Sequence, residues 1–345
     1  MKAHLCLSLA LVAATKSLLA EPGGSLTPPP GAPAPTMKSL DLIEARTPLV
    51  DGASGVSVNL GTGAITISQP GSYYLTDNVA ITSGSGILIA SGRVTIDLNG
   101  FTVASTAAPA SGSGIEIGAD SVTVINGHIA GSVFYDGDAM GDQFTGPGFL
   151  HGVSGLTPAN IQIKGITVTG VDADGINLKD FSVQNLVHSS TLVESCTVRT
   201  VGGRGIFGSV VKNCNVAECG DTGIQGLVVS NCRARSVGGS GIEGDAVDHC
   251  IGNSTGSSNV DSGIRAFSVS NSRGFAFDGY GIFAGTISHC RGSSVRNDGI
   301  RTNGDGLVSY SEGLTQEIGR FGIVGTTVIG CRASSVFATN KYLMP

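Results

Sequence analysis

The sequence predicts an all-β fold, a right-handed parallel β-helix whose single strand path winds into coils of about 18–23 residues. Three observations predict it. The pair Gly-Ile recurs at Gly205, Gly223, Gly241, Gly263, Gly281, Gly299 and Gly322, at intervals of 18, 18, 22, 18, 18 and 23 residues. An aliphatic residue follows most of these glycines at a fixed offset (Val211, Val229, Val247, Val269, Ile287, Val328), and three residues later stands Cys214, Cys232, Cys250, Ser272, Cys290 or Cys331, with Cys196 one period earlier. Runs such as "VTIDL" and "VTVIN" alternate apolar and polar residues at period two, while no stretch keeps a helical period.

A fixed period marks a repeat architecture. Two or three strands of a few residues, joined by tight bends, fill one such coil. Equivalent positions then stack at the roughly 4.8 Å strand separation, and each backbone group pairs with the coil above or below. The Ile, Val and Cys columns point inward, where cysteine packs as a small hydrophobe. Stacked Cβ atoms about 4.8 Å apart are too distant for a bridge, so buried free thiols are expected. The phase of Asn213, Asn231 and Asn271, taken by His249 and His289 in other coils, suits a sharp bend in left-handed backbone. Eighteen residues also fit three left-handed hexapeptide turns, but the apolar residues do not recur every six, since Ile206 is followed by Lys212. The longer coils and the bend asparagines favour the right-handed hand.

Residues 1–20 read as a signal peptide: Met1-Lys2 gives the positive start and Leu5–Ala13 a short apolar stretch, with cleavage after Ala14 or Ala20 both compatible. Export to the periplasm, cell surface or extracellular space follows. Residues 21–36 hold six of the twelve prolines and read as an extended linker. Residues 37–59 are the expected N-terminal cap, and residues 60–345 the solenoid. "GILIASGRVTIDLNGFTV" and "GIEIGADSVTVINGHI" repeat each other at 28 residues. Residues 131–160 break the pattern and are expected to project as a loop, in which Asp136, Asp138 and Asp142 have oxygen-ligand character without an EF-hand spacing. Cys6 leaves with the signal peptide, so the seven remaining cysteines cannot all pair.

Charged residues are 13 % of the chain and the net charge is -6, a balance that marks neither a nucleic-acid binder nor a polybasic membrane partner. No segment after the signal reaches eighteen uninterrupted apolar residues, so membrane insertion is not expected.

"ISQPGSYYLTDN", "VTIDLNGFTV" and the closing "TNKYLMP", together with the Gly-Ile and Asn-Cys coils, resemble exported bacterial right-handed parallel β-helix repeat proteins of the pectate-lyase-like group. The resemblance spans nearly all of the chain after the linker. It implies fold, export and a carbohydrate ligand, and it carries no settled activity.

The hydrolase motifs of that group (Asn-Thr-Asp, Asp-Asp, Gly-His-Gly, Arg-Ile-Lys) are absent. A lyase needs groups that neutralise a uronate carboxylate and a base for the neighbouring proton. The residue after each Gly-Ile points outward, so Phe207, Gln225, Glu243, Arg265, Phe283 and Arg301 form the expected carbohydrate-binding column. Its arginines suit acidic sugars and its rings suit stacking. Asp221, Asp261 and Asp298, just before the glycines, form a carboxylate rim whose mutual repulsion a Ca²⁺ ion would relieve. These residue types are also ordinary turn and surface residues. The expected function is polysaccharide binding on a lateral face, with Ca²⁺-supported lysis of a uronate polymer as its catalytic form. The alternative is a non-catalytic structural or adhesive solenoid at the cell surface. The five histidines outside the signal (128, 151, 188, 249, 289) are too dispersed to suggest a metal-handling protein.

Overall fold

An aliphatic residue at the same phase of every coil, isoleucine except at Val153, builds the first wall of the molecule. The computed structural model describes residues 46–137, 144–155, 159–178, 190–236 and 238–335. The expected signal peptide and linker, the first residues of the cap, Asp138, Asp142 and His188 lie outside them. Among the described residues there is no helix; strands make up 55 % and the chain winds through about 12 turns of a parallel β-solenoid.

Each full turn contributes to three parallel sheets, named A, B and C in chain order. The inward column of sheet A runs from Ile65 through Ile87, Ile115, Val153, Ile176 and Ile206 to Ile323, each paired in register with the next. That of sheet B runs from Tyr73 through Ile96, Val124, Ile163, Val193 and Val211 to Val328. Period-two alternation places these β-branched side chains inside, and nearly all are fully buried. The Gly-Ile and Val phases read from the sequence are therefore sheets A and B.

Sheet C narrows along the molecule. Its inward column begins Val103, Ile129, Val168, Val198 and Val216, becomes Ala234, and then continues as Gly252, Gly274, Gly292 and Gly313. In these last coils sheets A and C touch backbone to backbone. A Cβ at Gly252 would stand 2.1 Å from the carbonyl oxygen of Gly263, and one at Gly274 2.0 Å from that of Gly281. Only glycine allows that approach.

The three corners differ. Between sheets B and C the inward residues are five apart in ten consecutive coils, from Val124/Ile129 to Val328/Ala333. One residue at this corner adopts left-handed backbone: Asn213, Asn231, His249, Asn271, His289 and Tyr310 have φ between 48° and 56°. Asparagine tolerates this region because its side chain compensates locally. The expected bend is confirmed. Its asparagines reach carboxylates of the coil before: Asn271 Nδ2 donates to Asp248 Oδ1 at 3.0 Å and Asn126 Nδ2 to Asp97 Oδ1 at 3.4 Å. Within these ten coils, length variation falls on the other two corners. The 22-residue coil carries its extra residues between sheets C and A, around 255–261, and the 23-residue coil adds residues at both.

The thiol column lies just past the B–C corner. Cys196 N–H donates to Cys214 Sγ, Cys214 N–H to Cys232 Sγ and Cys232 N–H to Cys250 Sγ, each at 3.4 Å, and Ser272 Oγ continues the series at 3.0 Å from Cys250 N. Cys196, Cys214, Cys232, Cys250 and Cys290 are buried and unbridged. Contact with the stacked thiolate-competent neighbour pushes the Cys214 and Cys232 thiols up to about 12, and burial pushes Cys290 up to about 11.

At the N-terminal end, Val56–Val58 runs antiparallel to Ile65–Ile67 and Thr47–Pro48 lies beside Gly71–Tyr74. In the expected loop, Phe134–Tyr135 and Phe144–Thr145 form a small antiparallel pair. His151–Gly155 already belongs to sheet A, pairing Val153 with Ile115 and Ile176, so the projecting stretch ends earlier than residue 160. A single bulky apolar residue in "HGVSG" hid that strand. No helix among the described residues is long and apolar enough to cross a membrane.

Candidate functional site on the lateral faces

The residue following each inward isoleucine of sheet A is paired from coil to coil. Asn177, Phe207, Gln225, Glu243, Arg265, Phe283 and Arg301 stand in one register column over consecutive coils. All six expected carbohydrate-binding residues are thus brought together. Their environments are unequal. Phe207 is 2 % exposed, with the Arg204 guanidinium 5.4 Å from its ring centre, so its face is not open to a ligand. Gln225, Glu243, Arg265, Phe283 and Arg301 are half-buried.

The upper part of the column is an interlocked stack. The rings of Tyr280 and Phe283 lie 5.3 Å apart at 22°. Arg265 sits 5.6 Å from the Phe283 centroid and Arg301 5.4 Å from that of Tyr280. Each guanidinium is also held by its own chain. Arg265 Nη2 donates to Val260 O at 2.6 Å, and Arg301 Nη1 meets Asp298 Oδ2 at 3.1 Å. Arg265 Nε is buried and has no hydrogen-bond partner among the described residues. The stack offers planar surface rather than two free cations.

The three carboxylates expected to hold Ca²⁺ occupy different situations. Asp221 pairs with Arg204 Nε at 3.3 Å and accepts from Thr222 N–H at 2.7 Å. Asp298 is buried, accepting from Phe321 N–H at 2.9 Å and from Arg301. Asp261 has its carboxyl raised above the usual range, by burial first and then by the charge of Glu243. Among the described residues no group of three or more His, Cys, Asp or Glu side chains converges in a way that would hold a metal. The donors present do not fit the ion, because Asp221 and Asp298 each already face an arginine and the three carboxylates do not converge.

A second face was not singled out from the sequence. The outward side chains that open sheet C, just past the thiol column, include Arg233, Arg273, Arg291 and Arg332, and one pleat further along stand Arg199 and Arg235. All six are exposed. They border three hollows of about 780, 440 and 660 Å³ that share His249, Ile251 and the arginines between them. The signal was present as the recurrent "NCRARS", "NSRGFA", "HCRGSS" and "GCRASS", an arginine directly after the thiol or hydroxyl position.

No protein-family model, curated protein or solved structure matches the chain. Fold and faces together define its class: a parallel β-solenoid repeat protein.

Proposed function

We propose that the protein is an exported β-solenoid that binds polysaccharide along the outer column of sheet A. The observation that carries this reading is the in-register column of Arg265, Phe283 and Arg301 over adjacent coils, with the Tyr280 ring stacked on Phe283 and beside Arg301. Planar rings and guanidinium planes repeated at the roughly 4.8 Å coil spacing suit the flat faces of successive sugars. The resemblance to exported β-helix proteins supports both export and a carbohydrate ligand. No lyase step is derived through Ca²⁺, since the carboxylates do not gather around an ion.

The experiment is retention of the full chain on a panel of immobilised polysaccharides, compared with Arg265→Ala/Arg301→Ala. About tenfold weaker retention is the expected result, measured at a temperature where both proteins are folded because Arg301→Ala also removes the cation beside buried Asp298. The alternative, a structural or adhesive solenoid, draws on the same stack, because the rings and guanidiniums also clamp neighbouring coils together. Equal retention of both proteins combined with lower stability of the variant would select that alternative.

A further inference from the structure

We infer that the groove beside the B–C corner is a separate binding site for a linear acidic polysaccharide, its carboxylates held by the arginines of sheet C. Six of the chain's thirteen arginines line this groove, against two carboxylates, Glu218 and Glu312. The chain as a whole carries -6, so the positive charge is local and one-sided. Two of the six are partnered internally: Arg199 with Glu218 at 3.0 Å and Arg291 with Glu312 at 3.5 Å. Arg233, Arg235, Arg273 and Arg332 form no ion pair with a carboxylate among the described residues. Like charges stacked in adjacent coils repel, as do Arg273 and Arg291 in direct register. An anion lying between them relieves that repulsion.

Geometry selects the shape of the ligand. From the strand of Arg199 to that of Arg332 there are seven coil steps, roughly 34 Å at roughly 4.8 Å each. The backbone at this corner keeps a constant length per coil, so the groove runs straight and its cations fall at whole-coil intervals, Arg233, Arg273, Arg291 and Arg332 sharing one column in which Ile251 and Glu312 take the remaining places. A polymer with one charge on each unit, extended along the solenoid axis, meets them in sequence. Every one of these cations is arginine, whose planar fork matches a carboxylate with two parallel bonds. Along the rim the His289 and Tyr310 rings stack 5.3 Å apart and Tyr310 is 61 % exposed, giving a platform for a sugar ring. The hollows are recessed between corner and sheet, which a flat bilayer does not enter. The overall negative charge opposes the denser phosphate line of a nucleic acid.

The test uses polygalacturonate and its fully methyl-esterified form, titrated against the full chain at low and physiological salt. The acid should bind more tightly than the ester, and salt should weaken the acid alone. Arg233→Ala/Arg273→Ala should lose about tenfold on the acid and change nothing on the ester. Arg233→Lys/Arg273→Lys should fall between, since it keeps the charge and loses the fork. Absence of acid binding, an unchanged affinity in the alanine variant, or an equal loss on the ester would each overturn the site. So would preference for oligodeoxythymidylate or for phosphatidylglycerol vesicles over the acid. The sheet A reading stands or falls separately, because the ester reports on that face and its own variants lie on the other side of the coil.

Discussion

Replacing Gly252 by alanine adds one methyl group at a place where two sheets meet with no space for it. The new Cβ would lie 2.1 Å from the Gly263 carbonyl oxygen and 2.8 Å from Ile264 Cγ1. Backbone cannot swing aside as a side chain does, so the sheets must part by roughly an ångström; overpacking of this kind costs about 1–3 kcal/mol. The oxygen that must move accepts the Ile242 N–H at 3.1 Å, an inter-coil bond worth about 1 kcal/mol net. Together these give about 3 kcal/mol of destabilisation. The same column supplies its own control on the adjacent strand, in direct register. Ala234 is the native residue there and fully buried, so Ala234→Gly should cost about 1–2 kcal/mol, from a lost methyl and a freer unfolded chain. Urea unfolding of the full chain gives both values from midpoint and slope. Hydrogen exchange at Ile251–Ser254 and Arg273–Ala276 shows whether the damage is confined to neighbouring coils, as nearest-neighbour energetics require. A Gly252→Ala protein as stable as the parent would refute the close approach of sheets A and C.

Three further outcomes follow from the corner and the thiol column. Asn231→Ala, at φ 52°, should lose about 1–2 kcal/mol, whereas Asn231→Gly should be near neutral, both read from urea midpoints. Cys232 should resist a thiol-alkylating reagent in the native protein at pH 8 and react only in denaturant, because it is buried and its thiol is pushed up to about 12; mass spectrometry of the labelled chain decides. Asp248 is held at about 2 by bonds from Ser270 first, then Asn271 and His249. A carboxylate depressed on folding contributes stability above its unfolded value near 4 and loses it as pH falls toward 2. Asp248→Asn should therefore cost up to about 1 kcal/mol at pH 7, a figure reduced for exposure, and only a small part of that at pH 2.

The fold was legible because one strand residue in two is forced inward and stacked coils repeat the choice. The Ile of Gly-Ile and the Val of sheet B announced both walls, and the cysteines marked where the chain turns into sheet C. Sheet C itself was harder to read, since its inward column fades from Val216 through Ala234 to Gly252 and leaves no hydrophobic pattern. The sheet A column was legible as a row, because register follows from period. What each member touches was not: the burial of Phe207 and the grip of Asp298 on Arg301 depend on side chains from other phases of the coil. The sheet C arginines escaped for another reason. A whole-chain charge of -6 averages over faces, and only counting by phase exposes six arginines on one of them.

The single left-handed residue between sheets B and C keeps that edge of the molecule at constant arc length, while insertions of four, five or more residues accumulate at the other two edges. Homologous chains with more or fewer coils, or with larger excursions, should then share one unvarying flank and differ on the rest. Any polymer gripped along that flank would be measured in whole windings, so shortening the protein by one eighteen-residue winding should shorten the length of polymer it protects by the same increment.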